Sequence, residues 1–205
     1  RRATRQAGQA QIIHRVEPDR IPMIEADPNL GVGRAKRVES KWLTFRIAKE
    51  PMNTFKLPQA IAPAIDVPSI VENITMGSGK ANSAFLTASH MFAGASDSFP
   101  TYAPEKARVL LAGAGYPKDE GLRELTCHVS VGFSPKTNEY GQFTVQTLAD
   151  IGIKVTLQTL ERAKYNQMLF GPRAGDLFDH GWFIATTDPE VLLSSLFRAT
   201  PIPRG

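Results

Sequence analysis

The chain has 205 residues and a mass of 22.5 kDa, enough for one core-bearing domain or for one domain and part of another. With 42% hydrophobic and 21% charged residues and a mean hydropathy of -0.20, it has the composition of a chain that buries a core, and no apolar run approaches the roughly 18 residues of a membrane-spanning helix. The formal charge of +4 and pI of about 9.3 raise nucleic acid as a partner, but eight basic and four acidic residues fall within the first 37 and sixteen of each in the remainder. The excess belongs to one end, and no nucleic-acid partner is expected.

Arg1-Arg2-Ala3-Thr4-Arg5 leads into no apolar stretch, so no signal peptide is read there. Residues 11–16 are expected to form a short strand, and 18–26 a short helix closed by Asp27-Pro28-Asn29. Residues 41–47 alternate polar and apolar with period two, the pattern of a strand with one buried face. Residues 57–66 are helical in composition but carry Pro58 and Pro63, with Pro68 just beyond. Inside a helix Pro63 would remove a donor at a cost of about 3 kcal/mol, so a broken helix pair is expected. Residues 76–102, rich in Gly, Ser, Ala and Asn, read as a long irregular connection.

Beyond it the elements alternate. Ala107, Leu110, Leu111 and Ala114 share one face of a helix over 104–114, with Pro104 at its start and Gly115 and Pro117 at its stop. A strand over 125–131 precedes a helix over 138–151, with Tyr140, Phe143, Leu148 and Ile151 on one face. A strand at 153–158, a helix at 161–170, a strand at 178–184 and a helix at 188–198 follow, the last with Asp188 as N-cap and Pro189 at its first position. This order implies βαβ crossovers and an α/β fold with a largely parallel sheet flanked by helices.

Few motifs suggest chemistry. Gly77-Ser78-Gly79-Lys80 is similar to a phosphate-binding loop, but Ile74 and Ala81 stand where the full pattern needs Gly and Ser or Thr. Gly113-Ala114-Gly115 ends a helix where a dinucleotide fingerprint opens one. His14, His90, His128 and His180 are scattered singly, so neither a metal site nor a cofactor is expected and each is read as packed or superficial. Asp119-Glu120 and the carboxylates at 176–179 read as solvated charge, and Ser134 has no companion base. The lone Cys127, in an alternating stretch, reads as a buried thiol. No catalytic residue is expected. Phe178, Trp182 and Phe183 end a strand that runs into Ala185-Thr186-Thr187-Asp188. Ligands bind beyond the carboxyl ends of parallel strands, so Trp182 is either a stacking face for a ligand or ordinary core.

Four stretches share a further likeness. They are Ala10-Gln11-Ile12-Ile13 with Asp27-Pro28-Asn29-Leu30-Gly31-Val32; Gln59-Ala60-Ile61 with Ala64-Ile65-Asp66 and Ile70-Val71; Ala103-Pro104-Glu105-Lys106-Ala107-Arg108 through Leu110-Leu111 and Ala114-Gly115-Tyr116-Pro117; and Ile151-Gly152-Ile153-Lys154-Val155 with Phe178-Asp179, Gly181-Trp182, Asp188-Pro189 and Leu196-Phe197. In this order they resemble the extracytoplasmic solute-binding proteins of ABC transporters, family 5, the dipeptide, oligopeptide and nickel type.

The resemblance implies a periplasmic-binding-protein-like class II lobe, with residues 1–40 as the end of a first lobe or an interlobe segment and 41–205 as most of the second, ligand-binding lobe. It implies a non-enzymatic, periplasmic protein that closes two lobes on a solute and delivers it to membrane permease subunits. Ligand contacts are then expected from Gly132, Phe133 and Ser134 and from Trp182, Phe183, Ile184, Ala185, Thr186 and Thr187. The family's peptide-binding members carry an Asp where this chain has Ala185, removing a charge-assisted bond worth about 1.5 to 3 kcal/mol. Their Arg after the strand at 125–131 is replaced by Val131, Gly132 or Phe133. A free dipeptide is therefore less expected than a modified peptide, an opine, a sugar oligomer or another small polar solute. A ligand-sensing domain of a transcriptional regulator with the same fold is the alternative; a small α/β enzyme is disfavoured by the lack of a paired nucleophile and base.

Overall fold

The computed structural model describes residues 11–35, 39–82, 84–91, 93, 99–117, 120–171, 175–183 and 186–197. Its helices are α1 (Ile21–Glu25), α2 (Lys56–Ile61), α3 (Val67–Ser69), α4 (Pro104–Gly113), α5 (Thr137–Ala149), α6 (Arg162–Phe170) and α7 (Glu190–Phe197), and its strands β1 (Glu39–Phe45), β2 (Leu125–Ser130), β3 (Val155–Leu160) and β4 (Leu177–Phe183). The strands form one sheet in the order β1-β4-β2-β3. β2 is parallel to β3 and to β4, while β1 runs antiparallel to β4 with Glu39 opposite Phe183 and Phe45 opposite Leu177. The α/β class with a mostly parallel sheet is thus as expected, with β1 as its one antiparallel member.

Strand alternation splits the interior in two. Leu125, Cys127 and Leu177 pack with Leu57, Ile61 and Leu111 and with Leu148 of α5. Phe178, one residue along β4, joins Tyr165, Met168 and Leu169 of α6 in the other layer. The sheet is therefore covered on both faces, as parallel strands require. Cys127 lies in the first layer, and burial pushes its thiol up to about 12, as an inert buried cysteine requires.

Helix ends follow local chemistry. α4 stops at Gly115, whose φ of 98° places it in the left-handed region, with the Tyr116 amide donating back to the Leu111 carbonyl at 3.1 Å. The proline-punctuated stretch breaks as expected: α2 passes into a 3-10 turn at Ala62–Ala64, then α3 and a π turn at Ile70–Ile74. Asp66 caps α3 by accepting from the Ser69 amide at 3.0 Å.

Several expectations are corrected. No strand forms at 11–16: Arg15 has φ 56° and Ile12 is 85% exposed, so the extended run is broken and joins no sheet. The buried face of α5 is made less by Tyr140 and Phe143 than by Thr137, Gly141, Thr144, Thr147 and Leu148. Gly141 lets the helix approach closely, since a Cβ there would lie 3.0 Å from Val129 Cγ1. The Thr144 and Thr147 hydroxyls donate to carbonyls of their own helix, so burying them leaves no donor unpaired. By contrast, the Gly77–Lys80 stretch is as expected: it opens no helix, and turns and bends follow it among the described residues. The carboxylates of Asp176 and Asp179 are buried rather than solvated, at 2% and 9% exposure.

Asp176 ties the lower end of the sheet together. It receives two bonds from the Arg123 guanidinium, at 2.9 and 2.5 Å, and one from the Thr126 amide at 3.0 Å. Burial alone would raise its pKa, but the Arg123 and Thr126 bonds and the Arg123 charge together hold it below the usual range.

Candidate ligand-binding site

Because β2, β3 and β4 run parallel, their carboxyl ends share one edge, and the amino end of antiparallel β1 joins them there. After β2 the chain turns at Gly132, whose φ of 69° suits glycine. Phe133 folds back over β4. Its ring lies parallel to the His180 imidazole, centroids 6.5 Å apart, and a Cβ at Gly181 would stand 3.2 Å from its Cε1. The same Cβ would lie 2.8 Å from the Ser40 carbonyl oxygen, so Gly181 admits both the β1 backbone and the Phe133 ring. Ser134 is tied to the start of α5: its carbonyl accepts from the Thr137 hydroxyl at 2.8 Å.

Under this loop lies a buried polar cluster. The Asp179 carboxylate pairs with Lys41 Nζ at 2.8 Å and accepts from the Tyr140 hydroxyl at 2.8 Å, while the Tyr165 hydroxyl donates to the Asp179 carbonyl at 2.6 Å. Burial raises the Asp179 pKa against the opposing Lys41 charge and bonds. Burial, then the nearby Asp179 charge, raises both tyrosines, so they stay protonated as donors. Lys41 Nζ also sits 4.6 Å from the Phe133 ring centroid.

The aromatic residues divide. Phe178 is core, 1% exposed and stacked on His128 with centroids 5.0 Å apart. Trp182 is half-buried, edge-on to His180 at 6.3 Å, and Phe183 is 52% exposed. Trp42 of β1 contacts His180 at 5.8 Å and Phe85 at 4.9 Å, extending an aromatic surface across the strands. His180 itself is 8% exposed, and its Nδ1 has no hydrogen-bond partner among the described residues. Burial first, then the charges of Lys41 and Arg162, hold its pKa down at about 4, so the ring is neutral near neutral pH.

The fold thus brings Gly132, Phe133 and Ser134 to the same edge as Trp182 and Phe183. Thr186 and Thr187 follow on the exposed turn, where the Thr187 carbonyl accepts from the Met91 amide at 2.7 Å. Ile184 and Ala185 lie outside the described residues. Sequence reasoning missed Lys41, Tyr140, Asp179 and His180. The available signal was a charged pair, Asp179-His180, inside a run otherwise reading as a buried strand, where a carboxylate requires a partner. Among the described residues no group of His, Cys, Asp and Glu is placed to hold a metal ion, and no helix is long and apolar enough to cross a membrane.

A two-faced, mostly parallel sheet with loops converging at its carboxyl edge defines a class II periplasmic-binding-protein-like lobe. The family model for bacterial extracellular solute-binding proteins, family 5 (middle portion) matches residues 1–203, and the chain belongs to that family. It is similar to the glutathione-binding protein GsiB of Escherichia coli K12, 24% identical over 207 residues covering 99% of this chain and 40% of that protein. The chain therefore spans about 40% of the length of the curated relatives it matches. Among solved structures, the dipeptide-binding protein of Pseudoalteromonas sp. SM9913 in complex with Met-Leu has a TM-score of 0.85 at 19% identity, covering 94% of this chain and 38% of that one. The periplasmic binding protein DppA of Helicobacter pylori, in complex with the peptide STSA, has a TM-score of 0.84 at 21% identity, covering 95% and 37%. NikA of Staphylococcus aureus, in complex with Ni(L-His)2, has a TM-score of 0.76 at 18% identity, covering 88% and 37%.

Proposed function

We propose that this chain is the ligand-binding part of the solute-binding component of an ABC importer. It captures a peptide-like or other small polar solute between two lobes and delivers it to permease subunits in the membrane, from the periplasm and without chemical turnover. The observation that carries this is the convergence of the Gly132–Phe133–Ser134 loop and the Trp182–Phe183 strand end on one edge, held by the Phe133–Gly181 approach. The aromatic surfaces of Trp182 and Phe183 beside the hydroxyl-bearing residues Thr186 and Thr187 suit a solute with both apolar and polar parts. Residues 41–205 then form most of the second lobe. Residues 1–40 belong to the end of the first lobe or to the segment between lobes. A groove of about 950 Å3 lies between that segment and Met76, Gly77 and Pro135, beside the loop. Family membership and relatives that bind glutathione, peptides or nickel complexes favour import over the sensing domain of a transcriptional regulator.

Within the solute class, Ala185 and the lack of an Arg at Val131, Gly132 or Phe133 favour a modified peptide, an opine or a sugar oligomer over a free dipeptide. Native mass spectrometry of the full-length protein purified without refolding tests this directly. A co-purified small solute is expected, released unchanged on denaturation. Turnover of that compound, or specific DNA binding, would overturn the reading; a dipeptide with a free amino terminus would overturn the inference drawn from Ala185.

A further inference from the structure

The Phe133 ring carries two cations. Lys41 Nζ lies 4.6 Å from its centroid and the Arg162 guanidinium carbon 4.3 Å. Their electrostatic situations differ. The Lys41 charge is neutralised by the buried Asp179 carboxylate at 2.8 Å. Arg162 is exposed, and among the described residues no carboxylate pairs with it; its structural contact is the ring. A third cation, Arg15, is engaged through Nη1 with the Phe133 carbonyl at 2.8 Å.

Position makes the unspent charge informative. Arg162 opens α6 immediately beyond the carboxyl end of β3, and the Val131 amide binds the Leu160 carbonyl at 2.9 Å, so Arg162 sits beside the loop that carries Phe133. It belongs to the same carboxyl edge of the sheet as Trp182 and Phe183. A guanidinium held over an aromatic ring spends none of its N–H donors on that contact, and its donor fork matches a carboxylate bidentately. A single unspent cation suits one carboxylate, not a polyanion. We propose that Arg162, held over the Phe133 ring, recognises a carboxylate group of the bound solute.

This rests on the solute-binding reading, and the test separates the two. Calorimetric titration of the full-length protein uses reduced glutathione and tetra-alanine as probes, each beside its carboxy-terminal amide. Wild type is expected to prefer acid over amide at least tenfold. Arg162→Gln should abolish that preference by weakening acid binding far more than amide binding, Arg162→Lys should restore part of it, and Phe133→Leu, which frees the guanidinium, should reduce it. A preference that persists in Arg162→Gln overturns the proposal. So does equal binding of acid and amide by wild type, which leaves the solute-binding reading standing. If wild type binds none of the four probes, the carboxylate proposal falls, and native mass spectrometry decides separately whether another solute is carried.

Discussion

Three residues of β4 show how one strand serves both stability and the candidate site. Phe178 fills the layer beneath α6, Asp179 is neutralised on the opposite face by Lys41, and His180 is buried between aromatic rings with its charge suppressed. The last has a consequence for acid stability. The His180 pKa is about 4 in the fold against 6.5 for the free side chain, so the unfolded chain takes up a proton first. The stability associated with neutral His180 is complete above about pH 6.5 and is lost as the pH falls toward 4. His128 is lowered too, chiefly by burial, and acts in the same direction. Asp176, held low, loses its contribution only at pH values below its usual 3.8. Asp179, raised chiefly by burial, acts in the opposite direction, so the readout is the comparison: urea unfolding between pH 7.5 and 4.5 should show a steeper loss of stability toward acid in wild type than in His180→Gln. Equal slopes in the two proteins would place the titrating group elsewhere.

The helices show which local signals suffice. Pro104, Gly115 and the apolar spacing fixed α4 to within a residue of its observed span, because start, stop and periodicity are all local chemistry. Its amino end is nevertheless poorly capped: Ala103 sits at the N-cap with φ -156° and ψ 77° and makes no side-chain bond. Ala103→Asp supplies an acceptor for the free amides and a charge that suits the positive end of the helix. It should raise unfolding stability by about 1 kcal/mol, read from the midpoint of a denaturant curve. No change would mean that the backbone at 103 cannot present the carboxylate to the first turn. α5 was legible in extent but not in orientation. Its buried face is built from threonines and a glycine, which hydrophobic spacing does not detect, since their value lies in close approach to Val129 and Leu157.

At the scale of the molecule, the basic excess lies in the segment before β1, the one proposed above to belong to the first lobe or the interlobe connection. The segment before Glu39 meets the rest through Arg15 on the Phe133 carbonyl and through Lys136 with Asp19 at 3.4 Å, among other contacts. Such exposed polar links contribute about 1 kcal/mol or less each. A chain starting at Glu39 should therefore keep a cooperative unfolding transition and lose about 1 to 2 kcal/mol. Loss of the transition would mean that the amino segment shares the same core.

The sequence by itself determined the alternation of strands and helices, the parallel bias of the sheet, the proline-broken helices and the family likeness, because propensity, capping and periodicity act over a few residues. It also pointed to the loops after β2 and β4. Only the tertiary structure decided that Asp176 and Asp179 are buried and paired, that Phe178 is core while Trp182 is half-exposed, and that Phe133 gathers Lys41 and Arg162. Those outcomes depend on partners 53 residues away for Arg123 and Asp176 and 138 away for Lys41 and Asp179. A charge becomes an internal tie or a free recognition group according to what the folded chain places beside it.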